Sequence, residues 1–129
     1  MNTQTLTLEP TDHILPLLER TKSTSMKRVG VAVDVRYVAG QIRDWGPGCK
    51  SSTTSEAVWY YLRNVMTSGA PSDASLAVED FIYDRVPGGK DTNIREMSVA
   101  DRRELFGGIA REASQQEARY RTEYREARA

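Results

Sequence analysis

"GVAVDVRYVAGQIRDWGPG", residues 30–48, satisfies two incompatible periodicities, and the one that prevails decides the fold. With Val29 added, Val29, Val31, Val33, Val35 and Tyr37 alternate without a miss, and β-branched side chains suit a pleated surface. The same segment spaces Val31, Val35, Val38, Ile42 and Trp45 as one face of a helix, which would stop at Gly46, Pro47 and Gly48. Gly30 and the dense valines disfavour a helix at the start. The expectation is therefore a strand over residues 29–33, Asp34 as N-cap, and a helix over 35–45 that buries Val35, Val38, Ile42 and Trp45.

On the N-terminal side, "TQTLTL" (3–8) alternates Thr with Leu and reads as a short edge strand that Pro10 ends. "TDHILPLLERT" follows as a helix capped by Thr11 or Asp12, with Pro16 near the first turn, where its missing N–H costs little. "KSTS" (22–25) reads as a loop. On the other side, Thr53 and Glu56 in "SSTTSEAVWYYLRNVMTSG" have capping-box spacing. Val58, Leu62, Val65 and Met66 form the apolar stripe of that helix, which Gly69 would end. Ser72 or Asp73 caps a third helix through "ASLAVEDFIYDRV", with Leu76, Phe81, Ile82 and Val86 inward. "PGGKDTN" (87–93) has the composition of a mobile loop. From Ser98, with Asp101 three residues on, a last helix runs over 99–129 with Leu105, Phe106, Ile109 and Ala113 on its apolar side. Thirty-one helical residues span about 46 Å. A compact domain of this size has a radius of gyration near ~14 Å, so the end of that helix is expected to project from the body or lie on a partner. Gly107 and Gly108 within it imply a kink or a close backbone contact.

The fold class that follows is mainly α: a small single-domain helical bundle over 1–129, with at most a short strand or strand pair near 3–8 and 29–33, and a long C-terminal helix. Its 129 residues suit one domain. At 28% charged, 39% hydrophobic and a mean hydropathy of −0.57, the core must be small. No apolar run reaches the roughly 20 residues of a membrane helix, and "MNTQTLTLEP" lacks the pattern of a signal peptide. The expected location is the cytoplasm, in keeping with the single cysteine, Cys49.

Net charge is zero but unevenly spread. Residues 20–50 hold seven basic side chains, Arg20, Lys22, Lys27, Arg28, Arg36, Arg43 and Lys50, against Asp34 and Asp44. Acidic segments flank this stretch and are expected to neutralise it within the fold.

Several chemistries fall away. One histidine, His13, and one cysteine do not assemble a zinc site within a chain, and nothing brings His13 to Cys49 as a nucleophile pair. "GPGCKSST" lacks the glycine before Lys50 and the preceding strand of a phosphate-binding loop. Glu79, Asp80 and Asp84 read as solvated carboxylates. No cofactor, metal or catalytic residue is expected. What remains is surface. Trp59, Tyr60 and Tyr61 cannot all face one core, and Tyr60 beside Asn64 is left toward solvent, with the residue types of binding hot spots. "ARYRTEYREARA" sets Arg119, Arg121, Arg125 and Arg128 around Tyr120 and Tyr124. Glu117 with Arg121 has favourable four-residue spacing, which argues for internal pairing rather than a phosphate grip.

The order strand, helix, turn and capped helix over residues 29–66 resembles the ribbon-helix-helix layout of small dimeric DNA-binding regulators. That resemblance implies outward ribbon residues reading a major groove. Here they would be Arg28, Gly30, Ala32 and Asp34, of which only Arg28 donates to a base edge. The leading expectation is thus a non-enzymatic protein-binding accessory or inhibitor that uses the aromatic helix and the Arg/Tyr tail. The alternative is a dimeric DNA-binding regulator that uses residues 20–50. The partner is expected to be another protein, with nucleic acid and a second copy as the other candidates, and not a membrane.

Overall fold

The computed structural model describes the backbone over residues 14–45, 53–65 and 73–128, and side chains over 24–45, 53–65 and 73–127. Among the described residues there are four α-helices and no strand: α1 (Ile14–Arg43), α2 (Thr54–Leu62), α3 (Asp73–Tyr83) and α4 (Val99–Arg128). Two 3-10 turns, Gly89–Asp91 and Ile94–Glu96, link α3 to α4. The mainly α class with a long C-terminal helix is what the sequence predicts. The expected strand at 3–8 and the caps Thr11 and Asp12 lie outside the described residues.

The expected strand at 29–33 does not form: α1 runs unbroken through it and through "KSTS" as well. Burial explains why. Val29, Ala32, Val35, Val38, Ala39 and Ile42 are buried, while Val31, Val33 and Tyr37 are only half-buried, so the period is that of a helix. Packing of an amphipathic face outweighs the modest per-residue propensity cost of valine and glycine. Asp34, expected as an N-cap, sits inside the helix, where partial burial raises its carboxyl pKa. A Cβ at Gly30 would meet nothing within 4 Å. Gly30→Ala is therefore expected to stabilise the fold by about 1 kcal/mol and to raise Tm by about 4 °C. Calorimetry checks this, and a fall in Tm would show that Gly30 is not helical.

α1 and α4 pack antiparallel and form the longest interface of the molecule. Arg102 at the start of α4 reaches the end of α1, Arg36 pairs with Glu117, and Arg28 lies over Tyr120. At about 1.5 Å per residue each of these 30-residue helices is about 45 Å long, so α1 matches the length of α4. Both glycines of "ELFGGIARE" stay within the continuous α4. Gly107 is buried, but a Cβ there would stand at an ordinary van der Waals distance, 3.5 Å, from the Cδ of the Arg43 side chain, so the close backbone contact expected at this position is not found.

α2 and α3 close the core over the C-terminal half of α1 and the N-terminal half of α4. The core joins Val35, Val38, Ile42 and Trp45 of the first segment to Ala57, Val58 and Leu62, to Val78, Ile82 and Val86, and to Phe106, Ile109 and Ala113. Two expected core residues are not in it: Leu76 is 48% exposed and Val65 37%. Val78 and Ser75 face inward in place of Leu76. Leu105 and Phe81 are half-buried at the margin. Met66 and Gly69 lie outside the described residues, and α2 ends at Leu62.

The capping box of α2 is present. Thr53 Oγ1 accepts from the Glu56 N–H at 3.2 Å, and Glu56 Oε1 accepts from the Thr53 N–H at 3.1 Å. Ser98 caps α4 through the Asp101 N–H at 3.0 Å. The segment expected as a mobile loop is a built turn. Gly88 has φ 85, a Cβ there would collide with the Thr92 hydroxyl, and Thr92 donates to the Pro87 carbonyl. Asn93 bridges to Thr53, and Ile94 is buried beneath.

Candidate functional site

α2 presents its aromatic residues as the face left over when Ala57, Val58 and Leu62 turn inward. Trp59 and Tyr61 are half-buried against the core, and Tyr60 is 54% exposed. The Tyr60 and Tyr61 rings meet edge to face with centroids 5.0 Å apart, and the Arg63 guanidinium lies 5.5 Å from the Tyr60 centroid. Asn64 donates to the Tyr37 hydroxyl at 3.1 Å and so ties the end of α2 to α1. Tyr60, Arg63 and Asn64, at i, i+3 and i+4, form one exposed strip.

The end of α4 is organised around Glu117 and Tyr120. Glu117, largely buried, serves two cations: Arg36 Nη1 lies 2.7 Å from Oε1, and Arg121 Nε donates to Oε2 at 2.9 Å. Arg28 and Arg119 both lie over the Tyr120 ring, at 5.4 and 4.7 Å, and Arg119 donates to its hydroxyl at 2.8 Å. Arg119 also approaches Glu123 at 3.8 Å. Arg125 donates to the Thr122 hydroxyl, and Tyr124 is half-buried.

The two aromatic groups are not one surface. Tyr37, the foot of the α2 group, and Arg28, the foot of the α4 group, are nine positions apart on α1, about 13 Å of helix rise. The basic stretch fares similarly. Arg36 is spent on Glu117, and Arg43 donates to Asp44 at 2.9 and 3.0 Å, which holds the Asp44 carboxyl below its usual range. Lys27 and Arg28 are exposed. The side chains of Arg20 and Lys22, and all of Lys50, lie outside the described residues. With residues 29–33 helical, the ribbon of a ribbon-helix-helix layout is absent from that position.

Two features escape the sequence analysis. The first is Arg102, 8% exposed, whose Nε and Nη2 donate to the Ile42 and Trp45 carbonyls at 3.1 and 2.7 Å, with the guanidinium 5.6 Å from the Trp45 ring. It caps the C-terminal end of α1 from across the fold and meets the negative end of that helix dipole. The signal for it is in the spacing: Arg102, Phe106, Ile109 and Ala113 share one stripe, so an arginine stands where an apolar residue is expected.

The second is a groove of about 370 Å³ between α1, α3 and α4, with Val31, Ala32, Ala77 and Phe81 on its walls and charged side chains at its rim. Arg85 is fixed there by three hydrogen bonds and a stacking contact. Its Nε donates to Glu112 Oε1 at 2.8 Å, Nη2 donates to Oε2, and Nη1 donates to the Phe81 carbonyl at 2.9 Å, with the guanidinium 3.6 Å from the Phe81 ring centroid. The hydrogen bond from Arg85 keeps the Glu112 carboxyl below its usual range. Burial, with Glu79 alongside, raises the pKa of the Tyr83 hydroxyl, which donates to Glu79 at 3.1 Å.

Among the described residues no group of three or more His, Cys, Asp or Glu converges as a metal site, and no helix is long and apolar enough to cross a membrane. No family model matches the chain, and no curated protein or solved structure is significantly similar to it.

Proposed function

We propose that the chain acts without catalysis, by binding another protein through the exposed strip of α2, as an accessory or inhibitor in a reducing, cytoplasmic setting. The observation that carries this reading is Tyr60: a large aromatic side chain, 54% exposed, on a helix whose other face is core. Tyr61 edge-on and Arg63 alongside restrain its ring, so little side-chain freedom remains to be lost on binding. Tyrosine and arginine are the residue types in which interface energy concentrates. The Arg/Tyr end of α4 is the second contact region, with a smaller share because Glu117 and Glu123 engage Arg121 and Arg119.

A benzophenone amino acid in place of Tyr60, irradiated in the cells that make the protein, is the direct test. A discrete protein adduct is expected, absent with the same probe at the exposed Gln115 and severalfold weaker when Arg63→Ala is added. An equal yield at Gln115, or retention on duplex DNA that falls steeply with salt, would overturn the reading in favour of a nucleic-acid partner or none.

A further inference from the structure

The α1/α4 interface has two flanks. One opens into the groove that α3 closes, where Val31 lines α1 and Gln116 lines α4. Gly40 follows Val31 by nine residues, and Gln116 follows Gly107 by nine, which is two and a half turns. The two glycines therefore mark the opposite flank.

On α4 that flank runs from Arg103 to Arg125 in steps of four, four, three, four, three and four residues, one continuous helix face. Arg103, Arg111, Arg121 and Arg125 stand on it, all exposed. Gly107, Ser114 and Ala118 occupy the steps between them. α1 adds Arg36, Gly40 and Arg43, spaced four and three. Contacts join the two rows. A Cβ on Gly107 would stand 3.5 Å from both Cδ of Arg43 and Nη1 of Arg111, and Arg36 and Arg121 share Glu117.

Positive charge prevails here. Six arginines are set against Asp44 and Glu117, with Glu104 and Glu126 about 100° round α4 from Arg103 and Arg125, at the edge. Arg43 already holds Asp44, and Arg103 adds its attraction from farther off. Arg111 makes no ion pair among the described residues, and Arg125 donates to a neutral hydroxyl.

We propose that this flank seats an acidic helix of another protein. The small residues between the arginines let a third helix lie close along a face about 33 Å long, the length of about 22 helical residues. One arginine cluster surrounds Gly107 and the other Glu117, ten positions on, so partner carboxylates about three turns apart reach both. Other anionic partners fit less well. A lipid surface takes cations interleaved with apolar anchors, and no large apolar side chain described between Arg103 and Arg125 is exposed. A nucleic acid is drawn by net positive charge, whereas this chain is neutral and Asp44 and Glu117 stand within the flank. None of Tyr60, Arg63 and Asn64 lies on it, so this surface and the α2 strip stand or fall separately.

Fluorescence anisotropy of a dye-labelled, alanine-based helical peptide of about 22 residues, with glutamates at steps of four and three along one face, tests this by titration with the full chain. Saturable binding of one peptide per chain is expected. Arg111→Glu with Arg125→Glu is expected to weaken it at least about 10-fold while helicity by circular dichroism is unchanged. Ala118→Trp, which fills an exposed position of the same face without altering charge, is expected to weaken it by a similar factor. The peptide with glutamine in place of every glutamate is expected not to bind. No binding of the glutamate peptide, undiminished binding by either variant, or equal binding of the glutamine peptide would each overturn the proposal. So would tighter binding of a DNA duplex of the same length or of phosphatidylserine vesicles.

Discussion

Phe106→Ala is expected to destabilise the protein by about 4 kcal/mol, a large part of the 5–15 kcal/mol typical of a domain. Among the described residues Phe106 is the largest fully buried side chain, and it stands on α4 in the core that α4 shares with α1, α2 and α3. Truncation removes the apolar contact area and leaves a cavity where helices from distant parts of the chain meet, so neighbouring side chains have little room to collapse inward. Urea unfolding followed by far-UV circular dichroism reads the effect as a fall in midpoint with unchanged slope. A change below about 1 kcal/mol would mean that α4 is not packed on α1 through this residue.

Arg102→Ala is expected to cost about 3 kcal/mol. Two hydrogen bonds from a charged donor are lost, each typically worth 1.5–3 kcal/mol with a charged partner, and the Ile42 and Trp45 carbonyls are left without this donor. The contact of the guanidinium with Trp45 disappears as well. Arg102→Lys is expected to recover less than half, because a point-like ammonium cannot span two carbonyls three residues apart as a planar fork does. Hydrogen exchange separates this from a general loss of stability: in Arg102→Ala the last turn of α1 loses protection before the middle of the helix. Uniform loss along α1 would contradict a local capping role.

The parts of this fold legible in the sequence are those fixed by short-range patterns. Thr53 and Glu56 announce α2 because a capping box is made within four residues. Val35, Val38, Ile42 and Trp45 mark the buried face of α1 because nothing but helical spacing unites them. Residues 29–33 were ambiguous for a physical reason. Valine and glycine weigh against a helix locally, and what overrides them is the far part of α4, some eighty to ninety residues away along the chain, where Arg36 meets Glu117 and Arg28 meets Tyr120. Ala32, Ala39, Ala57, Ala110 and Ala113 are buried but carry no signal of their own, since alanine serves equally well on either face of a helix. Val65 and Leu76 mislead in the opposite sense: both fit an apolar stripe, but α2 ends before Val65, and α3 turns Val78 and Ser75 inward instead.

The candidate surfaces divide along the same line. The outward position of Tyr60 follows from its own helix and is legible. The pairing of Arg36 with Glu117, the stacking of Arg28 on Tyr120 and the groove lined by Asp80 and Asp84 each join residues that only the tertiary fold brings together. Sequence spacing shows that Arg121 and Glu117 pair, but not that Arg36 competes for the same carboxylate.

The pairing of two long helices, with α1 unbroken through residues 29–33, is the claim on which the rest depends. Backbone NMR over residues 29–45 tests it most directly, through Cα and Cβ secondary shifts read at low and at moderate protein concentration. Helical shifts from Val29 through Ile42 at both concentrations are the predicted result. Extended shifts over 29–33, above all if they strengthen as concentration rises and a strand is completed between two copies, would contradict it.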